Sequence, residues 1–83
     1  MALGKSRRKN IVGPQVSRIR GQIGLSQEAF AAKCQRKGWD ISRGIIAAIE
    51  GQVRCVTDEE FVLLAQMLGV SLEALLPKKK ANQ

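Results

Sequence analysis

Apolar side chains recur along this chain at three- and four-residue steps, interrupted by capping residues and glycines, a pattern that predicts helices throughout. Pro14 suits a first helical position, and Val16, Ile19 and Ile23 follow on one face until Gly24, so a first helix is expected over about residues 14–23. Ser26 is placed to cap a second helix, residues 27–37. There Phe30, Ala31 and Cys34 share a face, and Lys33, Arg36 and Lys37 complement the C-terminal dipole before Gly38. Gly38, Trp39, Asp40 and Ile41 read as a turn. Ser42 then caps a short third helix, residues 43–50, with Ile46 and Ile49 inward and Gly51 closing it. Thr57 with Glu60 three residues on has the spacing of a capping box, and the stripe Phe61, Leu64, Ala65 and Leu68 runs from it to Gly69. Ser71 caps a last short helix holding Leu72, Leu75 and Leu76, stopped by Pro77. No strand-like alternation is long enough to matter, and there is no internal repeat. The expected fold class is all-α, five helices around one core.

The two ends do not share this pattern. Residues 1–10 and 78–83 are polar and basic and are expected to be mobile, which leaves residues 11–77 as one folded domain near the lower size at which a single apolar core holds. Fourteen Lys and Arg against seven Asp and Glu give a formal charge of +7 and an isoelectric point near 10.1. That balance favours a polyanionic partner, by long-range attraction and by counterion release. The opening residues hold no apolar stretch that would serve as a signal peptide, and no segment approaches the length of a membrane span, so a cytoplasmic location is expected.

Candidate chemistry narrows the picture mainly by exclusion. Cys34 and Cys55 lie far apart without a CxxC spacing, and the chain has no His, so two reduced, partly buried thiols are expected and no metal. With no His, no Tyr, no glycine-rich phosphate cradle and no nucleophile paired with a base, catalysis is not expected, nor any cofactor or small-molecule ligand.

The runs VSRIRGQIGLSQEAFAAKC, ISRGIIAAIEGQ and FVLLAQMLGVSLEALLP together resemble the phage-repressor and Cro-like (XRE-type) helix-turn-helix family over about residues 12–77. The resemblance implies a lambda-repressor-like DNA-binding domain acting as a transcriptional regulator, with repression the expected sense. In such a motif the second helix lies in the major groove while the preceding one crosses the backbone. Here they are the third and second helices. Base contact then falls to Ser42, Arg43, Gly44, Ala47 and Ala48, of which only Arg43 can form a bidentate pair with guanine. Gly44 and the two alanines depart from the longer polar side chains common in the family, which shifts expected specificity towards DNA shape.

The resemblance assigns phosphate contact to Ser26 and Gln27 at a helix N-terminus, and Arg36, Lys37 and Arg54 join them as candidates. Lys5, Arg7, Arg8 and Lys9 resemble basic arms that enter the minor groove or coat phosphates, the bland alternative being a solubilising tail. Arg20 and Glu50 match a family ion pair tying the first helix to the end of the third. The stretch from Gln35 to Ile41 makes the link between the motif helices about five residues longer than usual in the family; Trp39 within it either plugs the core or stacks on nucleic acid. Val53, Val56, Val62, Leu63 and Met67 are left over from the core stripe and either cap the core or form a homodimer patch. An antitoxin or other protein-interaction module with the same motif is the alternative function, and an RNA-associated basic domain a third.

Overall fold

The computed structural model describes residues 7–77. Four α-helices, α1 (Gly13–Gln22), α2 (Gln27–Arg36), α3 (Arg43–Glu50) and α4 (Asp58–Leu68), are followed by one 3-10 turn, Leu72–Leu75. The fold is all-α among the described residues, with four helices and a 3-10 turn rather than five helices. The difference has a local cause. Leu76 precedes a proline and is held extended (φ −80°, ψ 151°), so the segment capped by Ser71 has no room for an α-helical hydrogen-bond ladder before Pro77 ends it.

The polar caps read from the sequence are made. The hydroxyls of Ser26, Ser42, Thr57 and Ser71 each accept from the backbone N–H three residues on, and Thr57 with Glu60 completes the capping box. Helix α1 is capped differently. The Asn10 carboxamide oxygen accepts from the N–H groups of Val12 (3.1 Å) and Gly13 (2.8 Å), which starts the helix one residue earlier than Pro14 and makes Asn10 part of the folded domain. Ile23 lies at the other end of α1 and is exposed, outside the apolar stripe to which its spacing assigned it.

Every α-helix then ends in the same way, with a left-handed residue followed by an N–H that reaches back five positions: Leu25 to Arg20, Trp39 to Cys34, Val53 to Ala48 and Val70 to Ala65. The left-handed residues are Gly24, Gly38, Gln52 and Gly69. After α3 it is therefore Gln52, and not Gly51, that makes the turn; Gly51 keeps a right-handed helical conformation (φ −81°).

The core gathers Val12, Val16 and Ile19 with Phe30, Ala31 and Cys34 from α2, Ile46 and Ile49 from α3, Leu64, Ala65 and Leu68 from α4, and Leu75 from the 3-10 turn. Ile41 is 2% exposed, so the connection between α2 and α3 dips into the core; the Gln35 side-chain amide donates to the Ile41 carbonyl (2.7 Å) and pins it. Gln35 and Arg36 complete α2, which leaves residues 37–42 as the link. Trp39 is half-buried and packs on the core from that link. Both cysteines are free. Where two partly buried thiols were expected, Cys34 is fully buried, which pushes its thiol up to about 11, and Cys55 is exposed on the α3–α4 loop.

The crossing of α1 over the end of α3 is so close that only a glycine fits. A methyl group on Gly13 would strike the Ile49 carbonyl oxygen and lie 2.9 Å from that of Glu50. Gly13→Ala should therefore lower stability by about 1–3 kcal/mol, the range for overpacking. At this chain length each kcal/mol moves the thermal midpoint by roughly 4–8 °C. Gly21→Ala, on the same helix with nothing within 4 Å of the added atom, should instead raise stability by about 0.5–1 kcal/mol. Thermal unfolding followed by circular dichroism measures both, and equal effects of the two substitutions would refute the close-packing argument.

Candidate functional site

The N-terminal end of α2 stands against α3, and polar side chains join them. Arg20 of α1 donates to Glu50 through Nε (2.6 Å to Oε2) and Nη2 (3.0 Å to Oε1), and its remaining Nη1 donates to the Leu25 carbonyl (2.7 Å). The guanidinium is held above its usual pKa chiefly by the hydrogen bond to Glu50, against the opposing effect of burial. Glu50 takes a third donor from α2, the Gln27 side-chain amide (2.9 Å). With Nε2 committed to Glu50, the Oε1 of Gln27 faces the other way and accepts from Arg43 Nη1 (3.2 Å). A continuous chain Arg20–Glu50–Gln27–Arg43 thus runs from the core edge to the surface.

At the surface end of that chain, Ser42, Arg43 and Gly44 are exposed while Ala47 and Ala48, further along α3, are half-buried. The open part of α3 is its first turn. Ser26 is also exposed; its oxygen accepts from the Ala29 N–H (3.0 Å), which leaves the hydroxyl proton to donate elsewhere. These groups, with the positive end of the α2 dipole, form one polar patch able to receive an anion beside a bidentate donor.

The other residues singled out from the sequence fall elsewhere. Arg36 and Lys37 are exposed at the C-terminal end of α2, about 15 Å along the helix from Gln27 at 1.5 Å per residue. Arg54 lies in the loop after α3, where its two terminal nitrogens grip the Glu60 carboxylate (3.0 and 3.1 Å) and Nη1 also reaches the Cys55 carbonyl (3.0 Å). Arg7, Arg8 and Lys9 are exposed, and the Lys9 N–H donates to the Gln52 carbonyl just past the C-terminal end of α3 (2.9 Å); Lys5 lies outside the described residues. Val56 and Met67 pack against the core and Leu63 is half-buried, leaving Val53 (70%) and Val62 (39%) as the exposed members of the leftover apolar set.

Residues that no periodic pattern marked also shape the site. Asn10 donates through its amide to the carbonyls of Ile49 (3.0 Å) and Arg54 (2.8 Å), and Gln52 donates to the Asn10 carbonyl (3.1 Å). Gln15 ties α1 to the Ala74 carbonyl (3.1 Å). A signal for Glu60 was present, because the capping box was legible; its second partner, Arg54, lies six residues back across the loop.

The Arg54–Glu60 pair carries a pH signature. The hydrogen bond from Arg54, aided by the Thr57 N–H, holds the Glu60 carboxyl below the usual glutamate pKa. A folded-state value below the unfolded one means that the unfolded chain takes up the proton first. The pair's stabilisation is therefore complete above the ordinary value, about 4.3, and is lost as pH falls through the depressed one. Glu60→Gln should be less stable than the parent at neutral pH, with the gap closing on acidification. Urea unfolding at neutral and acid pH tests this, and a gap independent of pH would show that the pair contributes nothing through charge.

No curated protein matches the chain in sequence. Among the solved structures that resemble it are two DNA-binding domains. The crystal structure of the DNA-binding domain of BldD matches with a TM-score of 0.73 and 29% identity, covering 87% of this chain and 97% of that one. The S. venezulae BldD DNA-binding domain matches with the same score and identity, covering 87% of this chain and 100% of that one. The helix-turn-helix family model matches residues 16–75, from the first core valine of α1 to the last buried leucine. Since that match takes in α2, α3 and most of the 83 residues, the chain belongs to the helix-turn-helix family, of the XRE type typified by phage repressors and Cro.

Proposed function

We propose that this protein binds specific double-stranded DNA as a transcriptional regulator, with the first turn of α3 in the major groove. The observation that carries the reading is the exposed turn Ser42–Arg43–Gly44, set next to the N-terminus of α2 and braced by Gln27 and Glu50. Its support comes from the family, from the likeness to two DNA-binding domains of BldD, and from the charge of +7.

In this arrangement Arg43 reads a guanine, and Ser42 and Gly44 let the helix approach the bases closely. Ala47 and Ala48 add apolar contact at most, so DNA shape carries much of the discrimination. Ser26 and the N–H groups opening α2 take a phosphate, and Gln27 steadies Arg43 while its second amide proton stays free for the same phosphate. Arg36 and Lys37 engage the backbone further along the duplex. Arg54 is proposed as a backbone contact only through N–H groups that Glu60 leaves uncommitted. The sense we propose is repression, by occupation of a promoter. Val53 and Val62 are the exposed apolar positions for a homodimer on a two-fold site.

Selection from random duplexes, followed by a salt titration, tests the reading. Arg43→Ala should cost about 1–3 kcal/mol of discrimination at a single base position, whereas Ser26→Ala should weaken binding to every sequence alike. Random duplexes that return no enriched motif would defeat it. For the dimer, sedimentation with and without the selected duplex should show two chains per site, and Val53→Asp with Val62→Asp should abolish pairing; monomers throughout would overturn that part alone.

A further inference from the structure

Three of the four α-helices place a glycine in the left-handed position that closes the last turn, and α3 places Gln52 there, at φ 64°. A non-glycine residue in that region is strained, and such strain persists where the side chain is needed. The glycine that would relieve it sits one position earlier, at Gly51. What glutamine adds is reach. Its Nε2 donates to the Asn10 carbonyl (3.1 Å), and its own carbonyl accepts the Lys9 N–H (2.9 Å). Asn10 in turn donates to the carbonyls of Ile49 and Arg54 and accepts from the first N–H groups of α1. One asparagine and one glutamine therefore join the C-terminal end of α3, the N-terminal end of α1 and the root of the basic arm.

We propose that Gln52 and Asn10 form a clasp that holds Lys9, at the root of the basic arm, against the C-terminal end of α3, so that this root and the recognition helix meet the DNA backbone as one unit. The inference rests on the reading of α3 as the groove helix. An eight-residue helix is about 12 Å long, close to the roughly 12 Å width of the major groove. Arg43 opens one end of it, and Gln27 reaches from Arg43 to Glu50 at the other. The clasp brings Lys9 to that second end as well, so that cations stand at both ends of the recognition helix. A basic tail that is free in solution pays its ordering cost on binding, whereas a tail fixed at its root has met part of that cost in folding. Gln52 is accordingly a positioning residue.

Gln52→Gly keeps the left-handed turn and deletes only the side chain; Gln52→Asn tolerates the turn but is one methylene too short to reach Asn10. Both should bind a selected duplex about tenfold more weakly at moderate salt, with a log–log salt slope shallower by one or two phosphates. The preferred base sequence should be unchanged, and the thermal midpoint of Gln52→Gly equal to or above that of the parent. Amide exchange at Lys9, whose main-chain acceptor all three proteins keep, should be slow in the parent and measurably faster in both variants as the segment loosens. Deleting residues 1–8 should weaken the parent but add nothing to the loss in Gln52→Gly. Parent-like affinity and salt slope in Gln52→Gly, or additive effects of the deletion, would overturn the clasp. Lys9 exchange separates the two possible failures. If the parent binds no duplex, the functional reading has failed and the arm's role with it, whereas a fast-exchanging Lys9 in a parent that does bind overturns the clasp alone.

Discussion

Glu50 follows a fully buried isoleucine, and its side chain keeps only 7% of its exposure, so its carboxylate is stripped of most of its water. A charge in that position is tolerable only if its oxygens are met by donors, and three N–H groups meet them: two from Arg20 of α1 and one from Gln27 of α2. The carboxylate thereby ties three helices together at one point. It also dictates direction. Because Gln27 must present its amide nitrogen to Glu50, its oxygen is turned outward to receive Arg43, and the exposed arginine inherits an orientation set in the core edge.

That external bracing matters because α3 has little of its own. Eight residues are too few for a helix to persist unaided, and among them only Arg43 and Glu50 carry charge. Its stability comes from Ile46 and Ile49, both essentially fully buried, and from the contact of its last carbonyls with Gly13. A helix made of small and apolar residues can lie close against a partner without competing side chains of its own. The cost is that its placement depends on neighbours, on α1 through Arg20, on α2 through Gln27 and on the N-terminal segment through Asn10.

Local chemistry was the legible part of the sequence. Serine or threonine three residues before a free N–H is a short-range signal, and all four such caps are made, with the α-helix ends within one residue of expectation. The last helix was misread because Leu72, Leu75 and Leu76 have helical spacing, and the spacing says nothing of the extended backbone that Pro77 imposes on Leu76. Ile23 carried the right spacing and lost to geometry, lying beyond the turn that points into the core. The roles of Asn10 and Gln52 had no signature, and neither did the brace that Gln27, singled out only for phosphate contact, forms between Glu50 and Arg43. Each bonds a group at least 23 positions away in the chain, and an uncharged amide leaves no periodic trace, so such contacts become visible only once the helices have crossed. Gly13 was passed over for the same reason, since its neighbour is the far end of α3.

The distribution of charge follows from this division between inner and outer contacts. Arg20 and Arg54 are neutralised by Glu50 and Glu60, and Asp58, Glu59 and Glu60 are gathered at the first turn of α4, where the helix dipole favours them. Two carboxylates thus help hold the fold together, while Arg36, Lys37 and Arg43 keep their charge at the surface. A net charge of +7 therefore does not describe an evenly basic sphere. Glu28 in the first turn of α2 and Asp40 two residues before Ser42 are exposed beside the turn of α3 and offset part of its field, and within a Debye length of about 8 Å at physiological salt it is this local balance, rather than the total, that an approaching polyanion meets.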